Sequence, residues 1–86
     1  MFEFDENKSR SNITKHGIDF ETALQLWDDP NRLEIPARWV DETRFILIAM
    51  LDNQCWTAVF TKRKKAIRII SVRKSRNDEK ELYKSV

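Results

Sequence analysis

One glycine, one cysteine and one histidine occur in 86 residues, and each scarcity excludes a class of function. With Gly17 as the only glycine, no glycine-rich loop can cradle a nucleotide phosphate. Cys55 alone cannot begin an internal disulfide framework, which fits a reducing cytosol. Cys55 and His16 together fall short of the four ligands of a conventional zinc site. No metal and no cofactor are therefore expected. Long apolar runs are also missing. "RFILIAML", Arg44 to Leu51, is far shorter than the roughly 20 residues a spanning helix needs. The N-terminus lacks the apolar core of a signal peptide. These absences point to a cytoplasmic protein with no membrane association.

Low complexity, repeats and linker composition are absent as well, so residues 1–86 read as a single domain. Its 41% hydrophobic and 35% charged content is ordinary for a globular chain. Charge is plentiful but unevenly placed. Met1 to Phe60 carries 6 Lys/Arg against 11 Asp/Glu, a net of −5. Thr61 to Val86 carries 10 against 3, a net of +7, and the halves sum to +2. Between Lys62 and Arg76 lie 8 cations and no acid. Such a block favours a polyanion, because each phosphate it neutralises releases counterions. The plainer alternative is a solvated basic hairpin.

The pattern along the chain predicts an α+β fold. "FEF" at Phe2 to Phe4 alternates like a short strand or extended arm. Asp5 caps a helix that stops at Gly17, with Ser9, Asn12, Ile13 and His16 as a strangely polar inner stripe. Asp19 caps a second helix, where Phe20, Ala23, Leu24 and Trp27 form the apolar face, and "DDP" ends it. "RLEI" is a first strand and "PARWVDET" a loop. "RFILIAML" is a strand buried on both faces, and "CWTAVFT" returns with Trp56, Ala58 and Phe60 on one side. After the "KRKK" turn, "AIRIISVRK" is the last long strand, and "SRNDEKELYKS" a short polar helix. Short turns between successive strands require antiparallel pairing, so two N-terminal helices, an antiparallel sheet of about four strands and a C-terminal helix are expected.

Strict alternation along the last strand puts Arg68, Ile70, Val72 and Lys74 on one face, and Ile67, Ile69, Ser71 and Arg73 on the other. A central strand with charged ends can hold arginine heads at the rim of the sheet while their stems pack. Pairing with an acid such as Glu79 or Glu42 is the structural alternative, but here cations outnumber nearby acids.

At these residues the chain resembles the BrnT toxins of bacterial type II toxin–antitoxin pairs, which have a RelE-like ribonuclease fold. The resemblance begins at "FEFDENKSRSNITKHGIDF", runs through "RFILI", and closes with "RIISVRK" followed by Glu79 and Tyr83 at E-x-x-x-Y spacing. Phe4 stands where the family usually has Trp, and Ala49 where it has Gly; the "DNQC" turn lacks the customary glycines. Ser75 and Arg76 replace an Ala and a Ser/Thr, so the cap of the last helix is expected at Ser75 or Asn77.

The resemblance implies an endoribonuclease that needs no metal, cleaves mRNA and arrests translation. Such chemistry requires deprotonation of a ribose 2′-oxygen, stabilisation of the charged phosphorane-like state and protonation of the leaving 5′-oxygen. Arginine suits the second task, since its fork matches phosphate oxygens and stays charged. Arg68 and Arg73 are the first candidates, with Lys74 assisting and Arg44, Lys62, Arg63 and Arg76 as further RNA contacts. His16 is the natural proton carrier, although a histidine in a last helical turn also serves the helix dipole. Glu79 can act as a base or hold an arginine, and Tyr83 can stack on a base, donate a proton or simply pack. Cys55, Trp27 and Trp56 read as core, and Trp39 as a residue facing a partner.

That partner, on the resemblance, is a BrnA-like antitoxin in a heterotetramer that also represses its own promoter, with the antitoxin supplying most of the DNA contact. The acidic first half of the chain and Trp39 suit a partner with basic segments. The alternatives are a non-catalytic nucleic-acid-binding or antitoxin-interaction subunit on the same fold, and a structural partner whose cations are merely solvated.

Overall fold

Both N-terminal helices start where aspartate can replace a missing backbone partner. In the computed structural model, which describes residues 1–37 and 43–85, Asp5 accepts hydrogen bonds from the amides of Asn7 and Lys8. It thereby caps α1, Glu6–His16. Gly17 closes that helix at φ 83°, with its amide donating to the Ile13 carbonyl at 3.0 Å. Asp19 caps α2, Phe20–Ala23, which tightens into a 3₁₀ turn at Leu24–Asp28. The expected apolar face shifts accordingly. Phe20, Ala23 and Leu26, spaced by three, are buried, whereas Leu24 and Trp27 are half-buried.

The remaining chain builds a five-stranded sheet in the order β1-β5-β4-β3-β2. Its strands are β1 (Phe2–Glu3), β2 (Leu33–Ala37), β3 (Arg44–Leu51), β4 (Gln54–Arg63) and β5 (Ala66–Lys74); α3, Asn77–Lys84, follows. Four strands pair antiparallel, as short connections demand. The fifth, β1, corrects the expectation of a purely antiparallel four-stranded sheet. Phe2 pairs with Ile67 and Glu3 with Arg68 in parallel, and the Ile67 amide donates to Met1 O at 2.8 Å. The "DNQ" turn dispenses with glycine because Asp52 and Asn53 both take positive φ, 50° and 66°, which short polar side chains tolerate.

One irregularity re-sorts β5. Val59 faces Ser71 but Phe60 faces Ile69, so Ile70 is an extra residue in the ladder. The strict alternation predicted for this strand is therefore broken. Ile69 and Val72 lie on one face with Phe60 and Ala58, while Arg68, Ser71 and Arg73 lie on the other with Thr61, Val59 and Thr57. The first face packs against the N-terminal helices in a cluster of Ile18, Phe20, Ala23, Leu26, Leu47 and Trp56, together with Ala58, Phe60, Ile69 and Val72. Only the middle of β3, Leu47 to Ala49, is buried on both faces; Met50 is exposed.

Candidate active site

The functional geometry starts from a buried amide. Asn12 Nδ2 donates to the carbonyls of Ile18 (2.7 Å) and Val72 (2.9 Å), and its Oδ1 accepts from the Val72 amide at 3.2 Å. The side chain thus pairs with β5 as a strand residue would, beyond the reach of the two-residue β1. Ser9 Oγ accepts from the Phe20 amide at 2.9 Å. These two contacts explain the polar inner stripe, since buried polar groups must find partners. Ile13, assigned to that stripe by spacing, is 49% exposed instead.

This docking lays the last turn of α1 beside the end of β5. Lys15, His16, Gly17, Arg73, Lys74 and Arg76 line one hollow of about 520 Å³ there. Three elements contribute: the end of α1, the end of β5 and the residue that starts α3. The site is rich in cations, and its nearest carboxylate is committed.

That carboxylate is Glu79, 7% exposed. Arg73 Nη1 donates to its Oε1 at 2.7 Å and Nη2 to its Oε2 at 2.8 Å, a two-pronged ion pair. Glu79 Oε1 also accepts from Thr57 Oγ1 (3.0 Å) and from the Arg76 amide (2.8 Å). The Thr57 and Ser75 hydroxyls are bonded at 2.8 Å. The Arg73 hydrogen bonds first, then the Arg76 amide and Thr57, overcome burial and bring the Glu79 pKa down to about 2. Its hydrogen bonds in turn raise the Arg73 pKa against the cost of burial. Glu79 therefore stays ionised at neutral pH and has little proton affinity to offer as a base. The cap of α3 is Arg76, not Ser75 or Asn77, and Glu79 reaches back to its amide in place of a side-chain cap.

Tyr83 belongs to a different cluster. Its hydroxyl donates to Asp29 Oδ2 at 2.6 Å, and the same carboxylate accepts from the amides of Met50 and Asn31, each at 2.8 Å. Burial, then the bond to Asp29, pushes the Tyr83 pKa up to about 12. Desolvation pushes Asp29 upward, but the Met50 amide, the Tyr83 hydroxyl, the Asn31 amide and the Arg32 charge together hold it below the usual carboxylate range.

The other sequence-predicted cations lie elsewhere. Arg68 shares the face of Arg73 because of the bulge, and approaches Glu3 at 3.6 Å. Arg44, Lys62 and Arg63 sit where β3 begins and β4 ends. The eight steps of β5 separate that end from Arg73 and Lys74 by roughly 26 Å at about 3.3 Å per residue. Lys62 bonds Glu34 at 2.8 Å and lies 4.5 Å from the centre of the Phe45 ring. Trp39 and Glu42 lie outside the described residues. Sequence reasoning missed Asn12, Lys15, Thr57 and Asp29 as contributors. Only Asn12 left a signal, as an amide on an otherwise inward-facing stripe.

Among the described residues, no three His, Cys, Asp or Glu side chains gather into a metal-binding cluster, and no helix is long and apolar enough to cross a membrane. No curated protein matches the sequence. The family model for the ribonuclease toxin BrnT of type II toxin–antitoxin systems matches residues 4–79, a span that takes in both Arg73 and Glu79, and the chain belongs to the BrnT family.

Proposed function

We propose that the chain is a translation-blocking endoribonuclease that cleaves mRNA without a divalent metal, using the hollow at the end of β5. The observation that carries this reading is the convergence of Lys15, His16, Arg73, Lys74 and Arg76 on one surface, with Arg73 held by Glu79. Two of the Arg73 donors are spent on Glu79, which fixes the guanidinium plane, and its side chain keeps 25% of its exposure for a phosphate. Fixed cations supply the charge stabilisation that the phosphorane-like state demands, without reorganisation at the moment of reaction.

Proton transfer falls to His16. Glu79 is locked as a carboxylate and Tyr83 as a phenol, whereas His16 is exposed at the rim of the same hollow. The 2′-oxygen gives up its proton and attacks phosphorus, and the P–O5′ bond breaks as the leaving oxygen gains a proton. The products are a 2′,3′-cyclic phosphate and a 5′-hydroxyl. Arg68 and the cations at Arg44, Lys62 and Arg63 act outside this centre. A BrnA-like antitoxin, in a heterotetramer that reads promoter DNA through the antitoxin, silences the toxin in the cytoplasm.

The test is purified chain, freed of antitoxin, incubated with end-labelled RNA in excess chelator beside Arg73→Ala and His16→Ala. Cleavage with cyclic-phosphate ends, lost in Arg73→Ala, is expected. Intact RNA that folded protein still binds would overturn the nuclease reading in favour of a non-catalytic RNA-binding subunit.

A further inference from the structure

Among the described residues, the cationic hollow adjoins further depressions through shared lining residues. A middle one shares His16, Gly17 and Lys74 with it and adds Leu51, Gln54 and Trp56. Gln54 in turn lines a cavity of about 350 Å³ beside α3, formed with Met50, Asn53, Cys55, Tyr83 and Lys80. The shared residues lead from the cationic hollow over the start of β4 into that cavity.

The cavity has the chemistry of a base site. Its volume falls within the roughly 300–1,000 Å³ of ligand pockets, and most of its wall is apolar. Tyr83 offers an aromatic ring whose hydroxyl is anchored on Asp29 at 2.6 Å, a bond that orients the ring. Two amides, Asn53 and Gln54, stand beside it, the combination of stacking surface and amide donors that recognises unpaired bases. Gln54 Nε2 donates to the Cys55 carbonyl at 3.1 Å, which orients the amide and, among the described residues, leaves its Oε1 for a ligand. Lys80 and Lys84, one helical turn apart, border the same space and suit flanking phosphates.

We propose that this cavity is a nucleobase subsite: it takes one base of a single-stranded RNA whose phosphate lies among His16, Arg73 and Lys74, stacks it on Tyr83 and reads its edge through Gln54 and Asn53. The inference rests on the ribonuclease reading and adds a source of sequence preference to it. The phosphate hollow alone would hold any RNA equally, because phosphate contacts carry no sequence information.

Amide chemical shifts of the labelled protein, titrated with inorganic phosphate and with each of the four nucleoside monophosphates, test it directly. Phosphate should move His16 and Lys74, together with the other cations of the hollow, and leave Asn53, Gln54 and Tyr83 unmoved. At least one nucleotide should also move Asn53, Gln54 and Tyr83, and bind at least about fivefold more weakly to Gln54→Ala, the lower bound for a lost base-edge contact. Shifts at His16 and Lys74 with every nucleotide, and none at Asn53, Gln54 or Tyr83, would overturn the base subsite while leaving the nuclease reading intact. Silence at all five positions would overturn the subsite and the phosphate hollow together. Mapped cleavage sites give the second readout: Gln54→Ala should cut the same RNA pool with altered base preference, and an unchanged preference counts against the subsite.

Discussion

Four hydrogen bonds converge on Glu79, two of them from one guanidinium. Because its pKa falls from 4.5 to about 2 on folding, the carboxylate contributes stability that is complete above pH 4.5. That contribution is lost as the pH drops through 2. The fall is worth about 3 kcal/mol at about 1.4 per tenfold change in proton affinity. Urea titrations across that window should show a steep loss of stability in the native chain and a flatter profile in Glu79→Gln, which starts lower. Arg73→Lys keeps the charge but not the fork, so cleavage should fall by about 10²–10³, the scale of a lost transition-state donor. Tyr83 makes the opposite prediction. With its proton held to about pH 12, it should leave no inflection in the pH–rate profile. Tyr83→Phe should lose about 1–2 kcal/mol through the orphaned Asp29 contact yet still cleave.

Between elements, Asn12 does what a longer β1 would have done. It pairs with both backbone groups of Val72 and fixes the distance between α1 and β5, and with it the position of His16 against Arg73. Asn12→Ala would leave the Val72 amide and the Ile18 carbonyl without this partner inside the fold. It should lower stability by about 2–3 kcal/mol in denaturant titrations, a typical cost for buried groups left unsatisfied. Its cleavage should fall more than its RNA affinity, since the cations remain while their spacing loosens. The caps at Asp5, Asp19 and Gly17 were legible in the sequence because capping is local chemistry. So was the order of helices and antiparallel strands. The Ile70 bulge was not, because the two-residue period carries no mark for an extra residue, and it alone moved Arg68 to the face of Arg73. Nor could two residues, Phe2 and Glu3, show a period or announce a parallel partner 65 positions away. The Arg73–Glu79 pair was legible only as one of several possible acids; the bond of Tyr83 to Asp29, 54 residues apart, was beyond any spacing rule.

At the scale of the whole molecule, the basic block that stands out in the sequence is divided by the fold. Lys62 to Lys65 lie at one end of the β4–β5 hairpin, while Arg73, Lys74 and Arg76 lie at the other. Only the second group meets His16. If RNA enters that hollow alone, the two groups must differ in the salt dependence they impart. Each phosphate contact on a single strand contributes about 0.7 to the slope of log affinity against log salt. With a 2′-O-methyl RNA, which binds but cannot be cut, Lys74→Ala and Arg76→Ala should each lower the slope by about that amount. Lys64→Ala and Lys65→Ala, on the exposed turn at the far end, should change it by less than about 0.2. Equal losses at both ends would mean that the strand runs the length of β5. The RNA would then cross the face carrying Arg68, and that arginine would become a phosphate contact rather than a partner of Glu3. The slope thus measures how much of the molecule the substrate covers, independently of whether it is cleaved.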